Sequence, residues 1–220
     1  MGKSLVLHLL PGALITAFFA LLAPVLLRAG YPSLFTLLLA VLVVLVPFEL
    51  GYLLHEGRRL NGRWSLRGVV LYREPVPRWQ YFLLVPILLF WAAFVFTVVT
   101  KPIDSFLIAK LFPWLPSWFQ LAKLDFGRYS GAVLKVTLLM NLALNGVLGP
   151  LVEELYFRGY LLPRISRFRW GAPLLNVALF SLYHFFSPWQ NPGRILALIP
   201  LVYAVWWKRN INIGIGPWIP

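Results

Sequence analysis

The sequence contains no cysteine. That excludes disulfides, thiolate metal sites and a cysteine nucleophile. Charge is also scarce. Only 12% of the 220 residues are charged and 60% are hydrophobic, whereas a soluble domain is about a quarter charged and about half apolar. Acidic groups are the rarest of all, seven against twenty Lys and Arg. No ten-residue strand alternation of the membrane-barrel kind occurs. No internal repeat is visible, which weighs against the many transporters built from duplicated halves. The N-terminus has no small-x-small cleavage site, and its apolar run is too long for a signal-peptide core, so it reads as a retained span. "MGKSLV" puts Val where myristoylation needs Ser or Thr.

What is present is long apolar runs. With a mean hydropathy of +0.77, the chain reads as an all-α integral membrane protein, a bundle of about six spans. The runs are 5–27, 33–54, 79–100, 131–152 and 171–189, with a shorter one at 195–207. We expect one membrane domain over 1–220, with 1–130 forming variable spans and loops and 131–220 the core. Segment 101–130 is rich in Trp, Phe and Pro and reads as interfacial, because aromatic rings favour the headgroup level. The net charge of +13 sits in loops between apolar runs. That is the pattern of topology signals and of contact with membrane lipids; there is no soluble basic domain to hold nucleic acid. With the N-terminus in the cytoplasm, thirteen of the twenty Lys and Arg fall on that side, so we expect N-in insertion, in a bacterial plasma membrane.

Two of the seven acids stand together in "GPLVEELYFRGYLLPR". A charged residue at the end of a span is often only solvated, and Glu49, Glu56 and Glu74 read that way. Ionisable groups at membrane depth, by contrast, default to functional candidates. Helix neighbours point about 100° apart, so Glu153 and Glu154 cannot face one partner equally. Arg158 lies four residues after Glu154, on its face. Glu154 and Arg158 then form an ion pair, and Glu153 continues a stripe through Gly146 and Gly149 that allows close packing. Pro150 is expected to kink this helix.

A carboxylate needs a partner to become a working base. The next span offers "LFSLYHFFSPW", with His184 the only histidine in the second half of the chain and Phe180 one turn before it. Alone, such a histidine reads as a packed, hydrogen-bonded side chain. A short turn makes the two helices antiparallel neighbours, so Glu153 and His184 can meet and deprotonate a water held between them.

The two motifs, Glu-Glu-x-x-x-Arg at Glu153, Glu154 and Arg158, and Phe-x-x-x-His at Phe180 and His184, resemble those of the CAAX-protease and bacteriocin-processing family. This family of intramembrane proteases includes the type II CAAX-prenyl endopeptidase of eukaryotes. The resemblance covers roughly residue 130 onward. It implies an endopeptidase that cleaves a membrane-associated or prenylated protein or peptide, with Glu153 and His184 catalytic and Glu154, Arg158 and Phe180 supporting. The family's third motif, His-x-x-x-Asn, is thought to stabilise the oxyanion, and no histidine follows His184 here. Either the chain is incomplete at its end or it has diverged there; Asn141 and Asn145 are substitute donors to consider. The family is often described as metal-dependent. A divalent metal such as zinc usually takes three protein ligands, more than Glu153 and His184 supply once Glu154 is tied to Arg158, so no cofactor is expected. Two other functions stay open: a catalytically impaired relative acting as a membrane-binding or immunity protein, and a small transporter using the buried carboxylate.

Overall fold

The computed structural model describes residues 2–121 and 125–216. Seven helices account for most of them: α1 Gly2–Arg28, α2 Ser33–Asn61, α3 Arg78–Lys110, α4 Gly131–Arg164, α5 Gly171–Tyr183, α6 Asn191–Lys208 and the short α7 Asn212–Ile215. No named strand occurs among the described residues; Arg73 and Asn210 form a single antiparallel bridge. The chain is an all-α bundle.

Helices α1 to α4 are long and apolar enough to cross a membrane. With 13 residues, α5 is only about 20 Å long at 1.5 Å per residue, short of a hydrocarbon core about 30 Å thick. Several boundaries differ from those expected. Helix α2 runs on to Asn61 and α3 to Lys110, so the first part of the expected interfacial segment is helical. Helix α4 continues through the glutamate pair and into the basic stretch, as far as Arg164. Charges did not stop these helices, because a helix satisfies its own backbone groups wherever it emerges from lipid.

Pro150 does not break α4. The helix stays continuous, and the eight residues Asn141–Leu148 ahead of the proline are π-helical, as are Glu154–Leu161 after the first glutamate. Such wide turns occur where the regular ladder is interrupted, and proline interrupts it by lacking an N–H. The expected small-residue stripe is only half realised. Gly149 is buried against Val41 of α2, while Gly146 is exposed.

Helix α1 packs on α2 and α5, α5 on α6, and α6 on α3. One apolar cluster joins Ile15 of α1, Leu38 and Leu53 of α2, Val152 to Leu161 of α4 and Phe180 of α5. A second joins the end of α4 to α5, α6 and α7. Much of α3 is exposed, including Phe82, Phe90 and Phe94, as befits a face turned to lipid. At Gly12 the approach of α1 to α5 is close: a Cβ there would lie 1.8 Å from the Tyr183 carbonyl oxygen.

Candidate functional site: a glutamate and a histidine in a shared cavity

The turn between α4 and α5 sets depth. Glu153 lies about 17 Å back from Arg164, and His184 about 20 Å on from Gly171, at 1.5 Å per residue. In antiparallel helices that brings the two to one level. Glu153 Oε1 stands 3.8 Å from His184 Nε2, with side chains 15% and 13% exposed. His184 is not inside the helix, as the sequence suggested. It is the first residue past α5, which ends at Tyr183, and its φ, ψ of −81°, 58° are not helical.

The ring of His184 has a fixed sense. Its Nδ1 lies 2.8 Å from the Phe180 carbonyl oxygen. A carbonyl only accepts, so Nδ1–H donates and Nε2 of the neutral ring presents a lone pair. Two acceptors, Nε2 and the carboxylate oxygen, therefore face each other across a gap too long for a direct hydrogen bond.

Glu154 turns away from this gap. Its Oε1 is 3.4 Å from Arg158 Nε, and both side chains are buried. The Arg158 guanidinium lies over the Phe180 ring, 4.0 Å from its centroid. The Phe180 ring in turn meets that of His184 edge to face at 4.8 Å. Phe180 thus transmits the position of the ion pair to the histidine, which accounts for the spacing of both motifs. Gly214 of α7 closes over the pair; a Cβ there would lie 2.3 Å from Glu154 Oε2.

Three further groups were not singled out from the sequence. Glu49 of α2, read as an interface residue, is 0% exposed. It is close enough to interact with the Glu153 carboxylate, and the Tyr183 hydroxyl lies beside both acids. Arg194, in the first turn of α6, is 8% exposed. Glu56, also read as solvated, is buried to 8% exposure and paired with Arg59 at 2.9 Å. Only Glu74 is an exposed interface acid, and it meets Arg209 at 3.3 Å. An acid inside a run as apolar as "VLVVLVPFELGYLL" was the available signal for Glu49. For Arg194 the signal was a cation in the first turn of an apolar helix.

Two cavities, of about 430 Å³ and about 270 Å³, share Asn145, Pro150, Glu153, His184 and Arg194 in their walls. The larger is otherwise apolar, with Ile15, Leu38, Val41 and Leu45 from α1 and α2. The smaller reaches Phe96 of α3 and Leu198 of α6. Asn145 therefore borders the reactive pair, while Asn141 lines neither cavity and accepts from the Asn145 amide at 3.3 Å. Asn210 and Asn212 are engaged elsewhere. The Asn210 amide donates to the Glu74 carbonyl at 2.5 Å, and its Oδ1 accepts from the Asn212 N–H.

Among the described residues no three His, Asp or Glu side chains gather as a metal site would require. The donor set does not fit a three-ligand catalytic zinc.

Neither a curated protein nor a solved structure matches the chain. Residues 135–216 match the family model for type II CAAX prenyl endopeptidases, Rce1-like. That stretch holds Glu153, Glu154, Arg158, Phe180 and His184 and ends at the last described residue of the fold. The chain is an integral membrane protein with helices long enough to span, and through this C-terminal stretch it belongs to the Rce1-like family of type II CAAX prenyl endopeptidases.

Proposed function

We propose that the protein is an intramembrane endopeptidase in which Glu153 and His184 activate a water molecule. The observation that carries this reading is the 3.8 Å gap between Glu153 Oε1 and His184 Nε2, with the other ring nitrogen committed to the Phe180 carbonyl. Two acceptors so placed fit a single water that donates one hydrogen to each. Glu153 removes a proton as the water oxygen bonds to the carbonyl carbon of the peptide. The resulting tetrahedral anion collapses with cleavage of the C–N bond, and the proton on Glu153 passes to the leaving nitrogen. No metal enters this sequence, which agrees with a donor set of two.

The substrate is a membrane-associated or prenylated protein or peptide. Apolar walls from α1 and α2 on one side of the pair, and from α3 and α6 on the other, suit an extended segment drawn from the lipid. The N-terminus and the arginine-rich loop then face the cytoplasm.

The test is cleavage of a quenched-fluorescence peptide in proteoliposomes by the wild type, Glu153→Gln and His184→Ala. General acid–base groups contribute about 10²–10⁴ in rate, so each variant should fall by that factor while keeping its melting temperature. Equal rates in all three would sink the proposal.

A further inference from the structure

Arg194 has a role that the glutamate–histidine pair does not cover. It is a cation buried in the first turn of α6, and among the described residues no carboxylate lies within 4.0 Å of its guanidinium. Its hydrogen-bond partners are neutral: Ser187 Oγ at 2.8 Å, Gln190 Oε1 at 3.1 Å and Asn191 Oδ1 at 3.1 Å. The acids that feel its charge are Glu153 and Asp104 of α3, and His184 and Tyr183 feel it too. A buried charge without a paired counter-charge is costly unless it is used.

The guanidinium is also held still. Its three acceptors come from the turn that links His184 to α6. Ser181 of α5 clasps that turn by donating to the Asn191 carbonyl at 2.9 Å. The backbone beside Arg194 sits hard against α3, since a Cβ on Gly193 would lie 2.1 Å from Thr100 Cγ2. Three of the five N–H donors of an arginine are committed to these anchors, and two remain. Both cavities that border Glu153 and His184 also border Arg194. Asn145, the other polar group common to both, is exposed and donates to Asn141.

We infer that Arg194 is the cation that stabilises the negative oxygen of the tetrahedral intermediate. The inference rests on the water-activation reading above. When the water oxygen bonds to the peptide carbonyl, the C=O π pair moves onto oxygen. A fixed positive charge in a water-poor cavity favours that anion over the neutral amide, and the same pair returns when the C–N bond breaks. An anchored guanidinium needs no reorganisation at that moment.

The experiment uses Arg194→Met and Arg194→Lys. Methionine is chosen because an apolar residue of similar volume often preserves the fold at a buried charge. Two quantities are read in proteoliposomes: turnover of the reporter peptide, and binding of a phosphinic pseudo-peptide of the same sequence, whose tetrahedral anionic phosphorus replaces the scissile carbonyl. Arg194→Met should lower kcat by about 10²–10³ with little change in KM, and weaken phosphinate binding in parallel. Arg194→Lys, with the charge but not the anchored fork, should lie between. Undiminished phosphinate binding by Arg194→Met, or a lysine variant no better than methionine, overturns the inference. Failure of the parent reading looks different, since there Glu153→Gln cleaves as well as wild type. The phosphinate measurement holds whether or not the chosen peptide is turned over.

Discussion

At the scale of the residue, the two adjacent glutamates differ in what surrounds them. Glu154 and Arg158 are a buried ion pair capped by Gly214 and floored by Phe180. Removing one member of a buried pair leaves the other charge uncompensated, at a cost of about 3–5 kcal/mol. We expect Arg158→Gln and Glu154→Ala to lower the melting temperature sharply. Glu153→Gln should leave it nearly unchanged, since that side chain is not in the ion pair. Differential scanning fluorimetry in detergent separates the two classes. This division was legible in the sequence, because helix periodicity alone puts Arg158 on the face of Glu154 and not of Glu153. Glu49 and Arg194 were not legible. A lone charge in or beside an apolar run looks the same whether it caps a span or is buried, and only the packing of α2 and α6 against the pair decides.

At the scale of the element, the reactive histidine depends on how α5 stops. His184 lies just beyond the last helical residue, and α1 presses on the Tyr183 carbonyl at Gly12. Gly12→Ala would force these helices apart at the residue before the histidine. Cleavage should drop by at least tenfold, an order-of-magnitude expectation for a misplacement near the reacting groups, although Gly12 touches neither member of the pair. A second device is the π-helical stretch Asn141–Leu148. A π turn holds extra residue in the same rise. Deleting one residue there, Leu142, should restore regular α geometry and rotate the remainder of α4 by about 100° relative to its start. The span would keep its length and hydropathy, and proteolytic activity should vanish. Hydropathy located α4 but gave no sign of these turns, because apolar content does not depend on whether the ladder is i to i−4 or i to i−5.

At the scale of the whole molecule, the apolar runs gave the all-α bundle and four spanning helices, because lipid demands long uninterrupted helices. They overestimated α5, since an apolar run continues past the histidine whereas the helix does not. Orientation has a direct check. The chain has no cysteine, so single cysteines placed at exposed Arg67 and exposed Ser117 react without background. In intact cells a membrane-impermeant maleimide should label the Ser117→Cys variant and spare Arg67→Cys; the reverse pattern would mean the N-terminus faces out. The two cavities that meet at Glu153 and His184 carry a consequence for traffic. A bound peptide lying across the pair has one arm in each cavity, so cleavage leaves each fragment in a different vestibule. The fragments then depart by separate routes and in no required order, and a substrate whose ends are joined in a ring has no free arm to thread.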